Sequence, residues 1–376
     1  MKLERAVLLA AAETIKPALA TKENFEDQTH IWSDGETLTA YNSTSLGITI
    51  PFKSELKGGI RGSVLLGILS NSRAKEVEIT AQKEEAEIKA GRTRLRLALL
   101  PADRALWTFP SLSKTKGSSL PTGFLDALKA VLISTGNGTT APEQLGVTIS
   151  GEGGQVHLFT TDSETIAWKT AVRPKDWADG RVIVPTPFIE QLIRLGDDKT
   201  MLYFVNGTEK NWMVEMNNEA YEKAGRKERL KSEGIKTNGI IAATGNGTRI
   251  FARIVDSPKP LDFAKIATDN MKQTDPVAIP TRLRLALERA SVMLNGQSSE
   301  FMELGVERDR MNIYAKTPYG ELRDSMVLDR ELPKMSCKLN PNMLKRALPL
   351  CDKIGFSEHS VVLTGERFVY LAATAA

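Results

Sequence analysis

The sequence predicts an α+β protein of three similar domains, each a doubled helix-plus-antiparallel-sheet motif. Two observations carry this prediction. A helix-then-strands pattern recurs three times in 376 residues, and each recurrence has an upstream helical partner at nearly constant spacing. Length agrees, because a chain of this size exceeds one ordinary core.

The recurring unit is plainest from Ser63 to Pro101. Val64, Leu65, Ile68 and Leu69 recur at helical spacing, with Ser63 as the N-cap candidate. Val77, Ile79 and Ala81 then alternate as a half-buried strand should. The run Gly91-Arg-Thr-Arg-Leu-Arg-Leu-Ala-Leu-Leu follows, with Arg92, Arg94 and Arg96 on one face and Leu95, Leu97 and Leu99 on the other. The helix returns as Phe188, Ile189, Leu192 and Ile193 after Thr186-Pro187, and as Met343, Leu344, Ala347 and Leu348 after Asn340-Pro341. Thr186 and Asn340 are N-cap candidates, and a first helical turn tolerates proline. Strand pairs follow both: Met201 to Val205 with Trp212 to Met216, and Val361 to Leu363 with Phe368 to Ala372.

The partner helices are Leu8, Leu9, Ala12, Ile15; Leu125, Leu128, Val131, Leu132; and Leu283, Leu287, Ala290, Leu294. Leu8 to Val64 spans 56 residues, Leu128 to Phe188 spans 60, and Leu287 to Met343 spans 56. Alternating runs lie between: Thr29 to Trp32, Thr37 to Tyr41 and Leu46 to Phe52; Gly146 to Ile149, Val156 to Thr160 and Ile166 to Val172; Met302 to Val306, Met311 to Ala315 and Ser325 to Leu328. The expected domains are 1–116, 117–266 and 267–376, with breaks in Ser111 to Ser119 and in the aperiodic Ala267 to Pro280. The middle domain carries a charged insertion at about 217–238. It reads as a solvated hairpin extension or mobile loop or, alternatively, as an arm touching DNA or a partner.

Composition limits function. Fifty basic against 46 acidic residues leave a net charge of only +4, so nucleic-acid contact would depend on how charge is arranged. Cys337 and Cys351 form neither a disulfide framework nor a zinc spacing, which points to a reducing, cytoplasmic setting. The apolar run Val7 to Ala12 imitates a secretory leader, but Glu4, Arg5, Glu13 and Lys16 make an amphipathic helix the better reading. No segment approaches the ~20 apolar residues of a membrane span, so the Asn-x-Thr triplets at Asn137, Asn206 and Asn246 carry no expected glycosylation.

Chemistry-bearing motifs are absent from the sequence. His30, His157 and His359 are scattered outside metal-ligand spacing, and no nucleophile elbow or Walker loop is present. Gly151-Glu-Gly-Gly and the triplets Gly136 to Gly138 and Gly245 to Gly247 read as hairpin turns. Asp162 and Glu164 read as a solvated pair in a turn. No catalytic residue, metal or cofactor is expected.

Several stretches carry a family resemblance. Leu66-Gly-Ile-Leu through Val77-Glu-Ile-Thr to Ile88-Lys-Ala-Gly-Arg-Thr-Arg-Leu-Arg-Leu-Ala-Leu-Leu-Pro-Ala-Asp resembles the end of the first domain of the bacterial sliding clamp family, the β-subunit processivity factors of replicative DNA polymerase. Val182-Ile-Val-Pro-Thr-Pro-Phe-Ile-Glu-Gln-Leu resembles that family's second domain. Leu287-Glu-Arg-Ala-Ser-Val-Met-Leu, Lys338-Leu-Asn-Pro-Asn-Met-Leu-Lys-Arg-Ala-Leu and the final Phe368-Val-Tyr-Leu-Ala resemble its third.

The resemblance implies a head-to-tail homodimeric ring closed around double-stranded DNA, with helices inside and sheets outside. Its basic helix residues, Lys16, Lys129, Arg194, Arg282, Arg284, Arg289, Lys345 and Arg346, would meet phosphates without base readout, as would Lys22 in the first inter-element loop. Arg92, Arg94 and Arg96 would face Glu321 and Asp324 across the subunit interface; a solvated basic face is the other reading. DNA polymerase and clamp loader would dock through short hydrophobic peptides. The family's Thr-Asp-Gly-His-Arg-Leu turn stands here as Thr161-Asp-Ser-Glu-Thr-Ile166, so the expected pocket comprises Thr161, Ser163, Glu164, Thr165 and Ile166, with Tyr370 and Ala372 from the last strand. That departure suggests a divergent, phage-type member. A clamp-fold scaffold that does not encircle DNA and a repeated-domain structural protein remain the alternatives.

Overall fold

A computed structural model describes residues 2–22, 26–42, 46–82, 84–105, 109–110, 112, 115–136, 141–177, 180–206, 238–255, 257, 261–294 and 301–375. It begins with β1 (Lys2–Glu4), α1 (Arg5–Ile15), β2 (His30–Ser33), β3 (Thr37–Tyr41), β4 (Gly47–Pro51), β5 (Gly58–Arg61) and α2 (Gly62–Asn71). Next come β6 (Glu76–Gln82), β7 (Glu85–Ala90), β8 (Thr93–Ala98), β9 (Gly117–Ser119) and α3 (Phe124–Val131). The central part holds β10 (Gly146–Glu152), β11 (Gln155–Thr161), β12 (Thr165–Val172), β13 (Gly180–Pro185) and α4 (Thr186–Leu195). Then follow β14 (Met201–Asn206), β15 (Asn238–Ala243), β16 (Arg249–Arg253), α5 (Phe263–Lys272), β17 (Val277–Ala278) and α6 (Leu283–Met293). The chain ends with β18 (Met302–Thr317), β19 (Gly320–Leu339), α7 (Pro341–Ala347), β20 (Lys353–Phe356), β21 (Ser360–Gly365) and β22 (Phe368–Ala373).

Contacts group these elements into two compact units, Met1–Leu120 with Pro187–Ile254, and Pro121–Thr186 with Val255–Ala376. Each unit is built on one eight-stranded antiparallel sheet. The first runs β5-β2-β3-β4-β16-β15-β14-β9 and the second β13-β10-β11-β12-β22-β21-β20-β17. Each sheet joins four strands from one sequence repeat to four from the next. The seams are β4–β16, where Ile48 faces Ile250, and β12–β22, where Ile166 faces Leu371. The first unit also holds a four-stranded sheet, β1-β6-β7-β8, and the second a long hairpin, β18–β19.

Amphipathic helices bury one stripe against these sheets. In α1 the buried residues are Leu8, Ala11, Ala12 and Ile15, and in α6 they include Leu283, Ala286, Leu287 and Ala290. Such i, i+3, i+4 stripes gain stability mainly from burial. Helix α1 lies against α2: Arg5 Nη1 donates to the Leu69 carbonyl at 2.8 Å and its Nε to that of Ala74 at 3.0 Å, so a cation closes the C-terminal end of α2. Asn340 caps α7 as expected, its side-chain oxygen accepting from Asn342 N at 2.9 Å. Gly146 is required where β10 meets β13, because a Cβ there would sit 2.0 Å from the Val184 carbonyl oxygen.

Several sequence expectations need correction. Ser63 lies inside α2, whose N-cap Arg61 makes no side-chain cap, because β5 runs directly into the helix. Thr186 is the first residue of α4, and its hydroxyl donates to Leu145 O at 3.4 Å. The supposed break Ala267 to Pro280 begins in α5, where Asp262 accepts from Lys265 N and Phe263 and Ala267 are buried. Polar residues at the other positions of α5 conceal that periodicity. The runs Met302 to Val306 and Met311 to Ala315 form one strand, β18, whose register shifts around Arg308, a residue at positive φ. Gly153 and Gly154 turn β10 into β11 at positive φ, as expected, but Gly136 follows a helical turn rather than a strand. Met201 to Val205 pairs with β15; Trp212 to Met216 lies outside the described residues, as does the charged insertion up to its last residue, Asn238.

Candidate functional site

Two surfaces of the second unit and one of the first collect the sequence's candidate residues. Strand parity decides which side chains share a face. Across the β12–β22 seam, Ile166 pairs with Leu371 and Trp168 with Val369, whereas Thr165 pairs with Ala372 and Ala167 with Tyr370. Ile166, Trp168 and Val369 are half-buried around Ala267, Val362 and Leu371, with Ile266 of α5 beside them. Next to this cluster a cavity of about 530 Å³ is lined by Trp168, Met271, Phe368 and Val369, with Lys272 and Arg367 at its rim. Apolar surface left open between a helix and a sheet can accept apolar side chains.

Tyr370 and Ala372 do not line this groove. They point to the opposite face and are fully buried, at 0% exposure. On the final strand Val369 lines the cavity and Leu371 forms the buried floor beside it, one position away from Tyr370 and Ala372, because a single-residue shift in a strand exchanges faces. Thr161 is buried at the end of β11, donating to Thr165 O at 2.8 Å. Ser163 sits at positive φ in the turn, and Glu164 is exposed. The turn is held by Asp162, whose Oδ1 accepts from Thr165 N at 2.7 Å and Glu164 N at 3.2 Å. Asp162 is not the merely solvated carboxylate that the sequence predicts, because its other oxygen accepts from Arg346 at 2.8 Å.

On the same face of the sheet His157, Phe159 and Trp168 stack, and Trp168 Nε1 donates to His157 Nδ1 at 3.3 Å. Burial holds the His157 pKa below the usual imidazole value, with Glu152 partly offsetting the effect. His157 is therefore an acceptor within a stacked aromatic set, which its isolated position in the sequence did not signal.

In the first unit, β8 is the outermost strand of its sheet. Arg94 and Arg96 lie exposed on it, and Arg92 occupies the preceding turn. Among the described residues none of the three has an ion-pair partner. Arg94 stands opposite Lys89, whose ammonium is already paired with Glu87 at 3.3 Å. Like charges in register are unfavourable without a further carboxylate.

The acidic counterparts differ from expectation. Glu321 is half-exposed on the outer face of β19, 3.4 Å from Arg323 and accepting from Tyr314 Oη at 3.2 Å. Asp324 has the opposite parity, facing inward with Ile313, and forms an ion pair with Arg289 of α6. It is only 12% exposed at its side chain, so it already has its cation. Nearby apolar exposure escaped the sequence reading: Val292 on α6 (78%), Tyr319 at the hairpin tip (91%) and Val327 on β19 (61%).

The basic helix residues fall into three groups. Lys22 and Arg282 are exposed and have no ion-pair partner among the described residues. Lys16, Lys129 and Arg284 make exposed local pairs with Glu13, Asp126 and Glu288. Such pairs are worth ~0.3–0.5 kcal/mol and exchange cheaply for phosphate. Arg194, Arg289, Lys345 and Arg346 have internal partners: Arg194 donates to Gln191 and to Thr14 O, and Lys345 to Ser291 at 3.4 Å. Helix α2 contains no lysine or arginine, contrary to the pattern expected of a phosphate-facing helix.

No family model matches the chain, and no curated protein matches it in sequence. Solved structures match over its whole length. The DNA polymerase sliding clamp of Bacillus subtilis aligns at TM-score 0.78 and 16% identity, covering 100% of this chain and 98% of the other. The DNA polymerase III β subunit of Thermotoga maritima gives 0.77 and 16% identity, with the same coverage. The Pseudomonas aeruginosa sliding clamp gives 0.76 and 17%, covering 100% of this chain and 99% of its own. The chain has the sliding-clamp fold. At these identities side chains at clamp positions are free to differ, so the groove and the basic helices must be judged on this chain's own residues.

Among those described residues, no group of three His, Cys, Asp or Glu is arranged to hold a metal ion, and no helix is long and apolar enough to cross a membrane.

Proposed function

We propose that this protein is a DNA sliding clamp, a non-catalytic processivity factor that encircles duplex DNA and tethers a DNA polymerase. The observation that carries the reading is the end-to-end match to DNA polymerase sliding clamps, 100% of this chain against 98% of a solved one. Three domains, 1–116, 117–266 and 267–376, would contribute the helix pairs α1–α2, α3–α4 and α6–α7, with α5 running across the last boundary, and two chains would supply six domains. Lys22 and Arg282 would be the first phosphate contacts, followed by Lys16, Lys129 and Arg284, whose local pairs are weak. Such contacts hold the backbone without reading bases, which sliding requires.

Ring closure would pair the open β8 edge of one copy with the β18–β19 hairpin of another. Arg94 and Arg96 would then face Glu321, and Val292 and Val327 would lose their exposure. An exposed strand edge beside apolar residues is what a β-pairing interface needs. Polymerase and loader would be captured by apolar peptide side chains in the groove of Ile166, Trp168, Met271 and Val369. The chain would act in the cytoplasm, and opening would require a separate loader ATPase.

Retention on nicked circular DNA, lost when the circle is linearised, tests encirclement. Binding that survives linearisation equally would replace the ring with ordinary DNA association, and no retention on either form would favour a scaffold.

A further inference from the structure

The basic residue Arg346 has an internal role that its place on α7 does not suggest. Its Nε donates to Tyr370 Oη at 3.0 Å, and its Nη2 donates to Asp162 Oδ2 at 2.8 Å and Thr165 Oγ1 at 3.1 Å. Tyr370 in turn donates to Met343 O at 2.7 Å, in the same helix. Thr165 Oγ1 also lies 2.7 Å from Asp162 Oδ1 and 2.9 Å from Ser134 Oγ. Asp162 thus fastens the β11–β12 turn with one oxygen and helix α7 with the other. Its side chain is 18% exposed and that of Arg346 35%, so the pair is largely withdrawn from water. Burial disfavours the Arg346 charge, yet Tyr370 and Asp162 hold its pKa above the ordinary arginine value.

All of these bonds lie behind the sheet. Ile166 follows Thr165 immediately and points to the other face, where it packs beside Leu371. Fixing Thr165 from behind fixes Ile166 in front. We propose that Arg346 is a positioning residue for the partner groove: it clamps the Asp162–Thr165 turn to α7 and so sets one apolar wall of the peptide site. The inference rests on reading that groove as a peptide site. The forked guanidinium suits it, since its rigid plane holds Nε and Nη2 on these acceptors at fixed separation, whereas an ammonium concentrates its donors at one point on a flexible stem. A phosphate contact would leave the fork free; here Nε and Nη2 are both engaged within the chain.

The test uses the full chain with R346A, R346K and D162N. Amide exchange is followed across 161–166, and affinity is measured with a fluorescein-labelled pentapeptide ending in Leu-Phe. In R346A, turn exchange should rise about tenfold and peptide affinity should fall about tenfold, the scale of one lost charge-assisted hydrogen bond. R346K should recover part of both. Adding D162N to R346A should cost less than a further twofold, because the two groups act as one unit. A merely structural role would raise exchange throughout α7 and β22 and would show no such coupling in peptide affinity. Peptide binding by the unsubstituted chain that R346A leaves unchanged overturns the role of Arg346 alone. No peptide binding by the unsubstituted chain overturns the groove reading itself. If DNA retention falls in R346A while turn exchange and peptide affinity hold, Arg346 is a phosphate contact and the proposal is wrong.

Discussion

The two eight-stranded sheets and the two smaller ones are built from the same kinds of strand but end differently. In each large sheet, strands from two sequence repeats meet at a hydrogen-bonded seam whose side chains are buried: Ile48 and Ile250 at one, Leu371 and Ala372 at the other. In β1-β6-β7-β8 and in β18–β19 no second repeat supplies the neighbouring strand, and the outer strands carry arginines, Glu321 and exposed valine instead. One chain thus satisfies two seams internally and leaves the edges of its smaller sheets open among the described residues. An edge bearing mixed charge resists random pairing yet can accept a complementary edge.

The largest effect is expected at a closed seam. Ile250 is fully buried at the β4–β16 joint. Ile250→Ala should destabilise the chain by about 2–5 kcal/mol through lost burial and a residual cavity. Denaturant unfolding measures this, and a loss under 1 kcal/mol would show that the seam contributes little. Gel filtration at a concentration where the variant is folded should show unchanged assembly, because this seam lies within one chain.

The open edges should behave in the opposite way. Reversing charge in R94E with R96E should weaken a dimer of twice 41.3 kDa about a hundredfold while leaving the unfolding midpoint nearly unchanged. Sedimentation equilibrium reads the difference, and unchanged assembly would remove β8 from the interface. Asp324→Asn should matter less to assembly than Glu321→Lys, since Asp324 is neutralised by Arg289 within the chain. A smaller effect again is expected from removing Arg282 and Arg284 together. The slope of log affinity for DNA against log salt should fall by about two, roughly one per phosphate contact. An unchanged slope would exclude both residues from the DNA surface.

The sequence made this architecture legible because each repeat advertises itself locally. Helical stripes such as Leu283, Leu287, Ala290 and Leu294 and alternations such as Thr37 to Tyr41 need no partner to be seen. The groove was half legible. The turn motif leads to Ile166, whereas Tyr370 and Ala372 lie on the face opposite to Val369 and Leu371. Parity in a strand flanked by apolar residues on both faces is set by cross-strand pairing, which periodicity does not encode. Arg346, Arg289 and Asp324 misled for a related reason. A charge reads as exposed in sequence, and its partner, 184 residues away in the Arg346–Asp162 pair, is fixed only by the fold.

The smallest effect tests the groove from its aromatic side. His157 accepts the Trp168 indole proton through Nδ1, so the imidazole must be neutral for the contact to persist. Its folded-state pKa is lowered, first by burial, so neutrality stabilises the fold above the unfolded value of about 6.5, and that contribution is lost as pH falls through the folded value. As pH falls from neutrality through that lowered value, protonation should break the hydrogen bond, loosen the Phe159–His157–Trp168 stack and weaken peptide capture severalfold. His157→Phe should keep the stack and remove the pH dependence. An NMR titration of the His157 ring with a midpoint at or above 6.5 would show that the aromatic set does not hold it neutral, and the proposed acid sensitivity would lose its cause.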